Sequence, residues 1–199
     1  MTLRQMLADP SMTIGALAAH LDGMDHAGRM AFLGSTNKAD QRRLWHLAAG
    51  SAPITREHFV PAGTPPRTAV PHFGRNTLPL FNSFQKVFCA PEDGSNRLFG
   101  YNEGATRPLI GPGYYVAIPT AGNPAWEERG AWVVDYFQVP DGPVVDGWPK
   151  VKKNSQGLQV LVYHHTRDFM RKVSEHVSIG IAYKNEMCLN NWFTLIREG

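Results

Sequence analysis

Two cysteines in 199 residues, Cys89 and Cys188, are too few and too far apart in sequence to make a disulfide framework, and neither belongs to a C-x-x-C pair. Free thiols in a reducing compartment follow, and a cytoplasmic location with them. Charge is scarce as well. Asp, Glu, Lys and Arg make up 19% of the chain, and the formal net charge is only +3. The one dense cationic cluster, Lys150, Lys152 and Lys153, lies in a loop-like stretch with no aromatic-interleaved RNA motif, helix-turn-helix or zinc-finger spacing, so no nucleic-acid partner is expected. Long apolar runs are missing, and the N-terminus carries no apolar stretch behind a basic start. Neither membrane insertion nor secretion is expected.

Several chemical signatures are also absent. The chain has no P-loop, no G-x-G-x-x-G turn, no G-x-S-x-G elbow and no H-E-x-x-H pair, which sets aside the phosphate-cradling, dinucleotide and nucleophile-elbow classes. His164, His165, Asp168, Glu175 and His176 together have the donor chemistry of a transition-metal site, but their spacing matches no signature. No metal and no cofactor are expected. The triplet Gly130-Ala131-Trp132 has the G-x-W form of lipocalins, yet it lies deep in the chain and not at a first barrel strand, so membership of that family does not follow.

What is present is a folded protein's inventory: 43% hydrophobic and 11% aromatic residues, in a chain long enough to bury a sizeable core. The first fifty residues read as short helices. Leu3, Met6 and Leu7 repeat at helical spacing before Pro10; Ile14, Leu17, Ala18 and Leu21 do so behind Thr13; a third helix spans about Asp25 to Leu33; a fourth follows Asn37, whose spacing to Asp40 suits a capping arrangement. Between Ser51 and Pro79 six prolines forbid continuous helix or central strand, and the stretch reads as a connector lying over the rest.

From Leu80 onward strands dominate: Phe81 to Cys89, Arg97 to Asn102, Tyr114 to Ile118, Ala131 to Val139, Val177 to Tyr183 and Asn191 to Arg197, separated by Gly- and Pro-rich turns. The stretch Gly157 to Tyr183 reads as a strand over Gln159 to His165, then a short helix from Thr166 to His176, then a strand with a small face of Ser178, Gly180 and Ala182. The expected class is α+β: an N-terminal short-helix cluster (1–50), a proline-rich connector (51–79), and a β-rich domain (80–199). That domain is a mostly antiparallel curved sheet or β-barrel with one short helix inserted near the C-terminus.

Candidate chemistry concentrates in three places. Asp135 shares a strand face with Val133 and Phe137; if that face is interior, its carboxylate needs a partner, and His165 at the start of the expected helix supplies one as an acid–base pair. Asn102, Glu103 and Arg107 bring an amide, a carboxylate and a guanidinium to one strand end. Tyr115, Tyr163 and His164 could orient a polar-headed ligand. The leading expectation is a barrel that binds a small apolar or amphipathic molecule in an aromatic-lined cavity. An enzyme using Asp135 and His165 in that cavity (isomerase, lyase or hydrolase) and a non-catalytic interaction module are the alternatives, and homo-oligomerisation is left open.

Overall fold

The computed structural model describes residues 2–77 and 82–199. Four helices open the chain: α1 (Leu3–Ala8), α2 (Ile14–Asp22), α3 (His26–Gly34) and α4 (Lys38–Leu47). Each starts where a side-chain oxygen meets an orphan backbone N–H. Thr2 accepts from Gln5 N, Thr13 from Ala16 N, Asp25 from Gly28 N, and Asn37 and Asp40 form a reciprocal capping box. A short α5 (Arg56–Phe59) then leads into the sheet.

Eight strands follow: β1 (Val70–Asn76), β2 (Ser83–Cys89), β3 (Leu98–Glu103), β4 (Tyr115–Pro119), β5 (Trp132–Asp135), β6 (Thr166–Lys172), β7 (Val177–Lys184) and β8 (Met187–Arg197). Each pairs antiparallel with the next, and β8 returns to pair with β1 from His72↔Arg197 to Asn76↔Phe193. The result is a closed, up-and-down barrel. Among the described residues, three one-turn helices sit in its connections: α6 (Arg107–Ile110) between β3 and β4, α7 (Pro124–Glu127) between β4 and β5, and α8 (Gln159–Val162) between β5 and β6. The α+β class with a helical N-terminal part and an antiparallel barrel is therefore observed.

Four local expectations are corrected. Gln159 to Val162 is a helical turn, not a strand, and Thr166 to Lys172 is strand β6, not a helix. The apparent helical spacing joins Phe169 and Met170 of β6, which is buried on both faces, to Val173 just past its end and Val177 of β7. Met170 packs inside the barrel and Phe169 outside it against the helices, so the polar/apolar alternation that marks a half-exposed strand is absent. Strand β1 lies within the range read as connector; Pro71 stands near its start, where a missing donor is tolerated. The strand expected from Phe81 begins outside the described residues, and β2 is described from Ser83. The strand expected to reach Val139 ends at Asp135.

Three apolar layers explain the doubly buried strands. The barrel interior holds Phe88, Leu98, Tyr115, Trp132, Met170 and Leu195. Phe59 of α5 plugs one end, its ring 5.0 Å from that of Phe88 and 5.5 Å from Trp132. Outside, Leu17, Leu21, Leu33, Leu44 and Trp45 of the helices pack in one cluster with Ile179, Ile181, Trp192 and Ile196. On another flank, Val144 and Trp148 of the long β5–β6 connection cover Cys89, Phe99 and Val116. No helix among the described residues is long and apolar enough to cross a membrane.

Candidate functional site: the open end of the barrel

The end opposite Phe59, where β3 turns into β4, β5 into β6 and β7 into β8, contains a cavity of about 300 Å³. Its wall is largely apolar, with Phe84, Phe193, Ile110, Val162, Tyr163 and Leu189, and Glu103 and Arg107 stand beside it. Four polar side chains lie deeper: Lys86 from β2, Asn102 from β3, Tyr136 just past β5 and Asp168 from β6. All four are inward positions of their strands, at even spacing from the core residues Phe88, Leu98, Trp132 and Met170.

The four form one hydrogen-bonded group. Lys86 Nζ lies 2.9 Å from Asp168 Oδ2, donates to Asn102 Oδ1 at 3.1 Å, and makes a short contact with the Tyr136 hydroxyl. Asn102 Nδ2 donates to Tyr136 OH at 3.1 Å and to Gly113 O at 2.9 Å, which fixes the orientation of the amide. Tyr136 OH in turn lies 3.3 Å from Asp168 Oδ2 as a donor. Aromatic rings enclose the ammonium, with Nζ 4.9 Å from the Tyr136 centroid, 5.1 Å from Phe193 and 5.2 Å from Tyr115.

Lys86 is 2% exposed and Asp168 5%. Burial pushes the Lys86 ammonium below lysine's usual range, against the upward pull of Asp168. It also pushes the Tyr136 phenol well up, an effect that Asp168 and Tyr163 reinforce, so Tyr136 is a neutral donor at ordinary pH. Tyr163, stacked on Tyr136 at 5.3 Å, is raised to about 12 by burial and then by Asp168. Taking a lysine and a carboxylate out of water costs several kcal/mol per ion, and apolar packing of the same volume is often as stable. An ion pair on an aromatic barrel floor is thus poorly explained by stability alone.

The turn above this floor is fitted by glycine. Gly113 has φ +53°, and a Cβ there would lie 2.4 Å from the Tyr163 ring. Gly113 N donates to Gln159 Oε1 at 2.8 Å, and this bond seats α8 over the cavity edge.

The residues expected from sequence are divided by the fold. Asn102 belongs to the floor, Glu103, Arg107 and Tyr163 line the cavity, and Tyr115 lies below with its hydroxyl donating to Val87 O at 3.2 Å. Arg107 Nε and Glu103 Oε1 pair at 2.7 Å. Asp135 faces outward, because Trp132, Val134 and Tyr136 take the interior. It is 2% exposed, lies 3.2 Å from Arg167 Nε, and accepts from Phe137 N and Gln138 Nε2, each at 3.0 Å. His165 sits in the turn before β6 with φ +60°, between the rings of His164 at 3.7 Å and Phe137 at 5.0 Å. No hydrogen bond joins Asp135 to His165 among the described residues, and neither they nor His164 line the cavity.

Lys86 and Tyr136 are not among the residues that the sequence patterns single out, and Asp168 enters there only as a possible metal donor. A signal existed for Lys86: in Phe84-Gln85-Lys86-Val87-Phe88 it shares its face with two phenylalanines, the same anomaly that draws attention to Asp135. The role of Asp168 was hidden by the helical reading of its segment, and Tyr136 by attention to the Asp135 face of β5. Among the described residues, no group of three or more His, Cys, Asp or Glu side chains is placed to hold a metal ion. No protein-family model, no curated protein and no solved structure matches this chain.

Proposed function

We propose that the protein binds a small amphipathic molecule in the open end of the barrel, with its apolar part against Phe84, Phe193 and Val162 and its polar head toward Lys86, Asn102, Tyr136 and Asp168. The observation that carries this reading is a cavity in which an aromatic wall leads to a buried, hydrogen-bonded polar floor. Such a combination of apolar area with a few oriented polar groups is what small-ligand sites require. Native mass spectrometry of protein purified without detergent tests it. The expected spectrum contains a species heavier than the apoprotein that is released on unfolding, and Ala182→Trp, which fills the cavity from β7, abolishes it. A bare apoprotein mass, together with no saturable response to amphipathic probes, overturns the reading.

A second reading, an enzyme working in the same cavity, is favoured by one specific observation: a phenol, an amine and a carboxylate in mutual contact can hold and move a proton. The Asp135 and His165 pair belongs to the outer face and would need a ligand approaching beside Phe137 and Arg167.

A further inference from the structure

Resting on the binding reading above, we propose that Lys86 is a nucleophilic amine that condenses with the aldehyde or ketone carbonyl of an apolar-tailed ligand in the barrel mouth to give a Schiff base. Placement is the first argument. Lys86 alone of the lysines is buried among the described residues, and its Nζ lies on the floor of a cavity whose wall suits an alkyl or aryl tail.

Charge balance is the second argument, and it selects the ligand class. Among the described residues the two cations at the cavity are each matched, Lys86 by Asp168 at 2.9 Å and Arg107 by Glu103 at 2.7 Å. An anionic head would bring an uncompensated charge next to the Asp168 carboxylate in a dry site, at a cost that no spare cation offsets. A neutral, polarisable head is what the floor accepts, and a carbonyl is one.

The chemistry closes without an outside reagent. The ammonium passes one proton to Asp168 and becomes a free amine; its lone pair attacks the carbonyl carbon, and the new C–O⁻ takes a proton from nitrogen through the Tyr136 hydroxyl to give a carbinolamine. Asp168 then returns its proton to the carbinolamine OH, the C–O bond breaks, water leaves, and nitrogen's lone pair forms the C=N⁺ bond. The balance is ammonium plus carbonyl giving iminium plus water, so one cation replaces another opposite the same carboxylate and within the same three rings. A buried site that resists changes in net charge is suited to that exchange. Burial also lowers the Lys86 ammonium from its usual range, which increases the share of free amine near neutral pH.

Reductive trapping on the whole chain tests the proposal. The protein is incubated near pH 7 with octanal and sodium cyanoborohydride, whose hydride reduces an iminium to a stable secondary amine, and the adduct is mapped by peptide mass spectrometry. The expected result is one adduct per chain, on Lys86, formed before the exposed Lys38, Lys150, Lys152 and Lys153 react. Excess 1-octanol, which has the tail but no carbonyl, suppresses it by occupying the cavity. Tyr136→Phe slows trapping by about tenfold or more at saturating octanal. Adducts confined to the exposed lysines overturn the Schiff base. If 1-octanol still binds saturably in that case, the binding reading stands alone; if it does not, both fall.

Discussion

Among single residues, the buried ionisable groups set how this protein responds to its surroundings. His72 is fully buried inside the barrel, with Nε2 at 2.9 Å from Phe59 O and Nδ1 without a hydrogen-bond partner among the described residues. Burial pulls its pKa down from 6.5 to about 4, against the bond to Phe59 O and with the help of Arg197. A histidine lowered in the folded state binds fewer protons than in the unfolded chain between those two values, so stability falls as pH drops from 6.5 toward 4 and is level above that window. For His72 the full effect is roughly 3 kcal/mol. Urea midpoints measured from pH 7.5 to 4.5 are expected to decline, and His72→Leu should flatten the slope whatever it does to stability at pH 7.5. An unchanged slope would show that His72 carries none of it. Lys86 obeys the same logic at the other end of the barrel, where it was legible as a cation on an aromatic face; its partners were not legible, since Asn102, Tyr136 and Asp168 reach it from 16 to 82 positions away in sequence.

Among the strands, inward glycines are matched to inward rings. Gly74 pairs in register with Phe84, Gly100 with Tyr115 and Gly180 with Phe193, and a Cβ at these glycines would come within 2.6, 2.4 and 2.2 Å of the facing ring. Each ring lies over its neighbour's bare backbone, which lets large aromatic side chains fit a narrow barrel. Gly180→Val forces Phe193 out of its position and is expected to cost about 1 to 3 kcal/mol in chemical denaturation. It should also weaken ligand binding, because Phe193 lines the cavity; a fully stable variant would mean that β7 and β8 can separate without penalty. The alternation of β7 makes its small face of Ser178, Gly180 and Ala182 readable. What fills that face is not readable: Phe193 covers Gly180, whereas Ala182 is left to the cavity.

At the level of the whole molecule, the helices and the barrel share one apolar layer. Ile179, Ile181, Trp192 and Ile196 are buried under α1 to α4, and uncovering four such side chains costs on the order of 6 to 12 kcal/mol, comparable with the stability of an entire domain. Removing residues 2–50 is therefore expected to abolish the cooperative melt and to create binding sites for an apolar dye. A truncated chain that melts sharply near the full-length temperature would instead mark the helices as an appendage, as a division of the chain at residue 50 implies. Residue order alone determined the four N-terminal helices with the cap at Asn37, their apolar stripes, the antiparallel class, and most of the strands. These follow from hydrogen bonding and periodicity within a single element, which nearby residues specify. Tertiary structure decided which face of β5 is interior, that β6 is a strand, that β8 closes on β1, and that Lys86, Asn102, Tyr136 and Asp168 meet. A strand covered on both faces loses the polarity contrast that tells inside from outside, and groups brought together across a barrel are chosen by packing between distant segments, which no local pattern records.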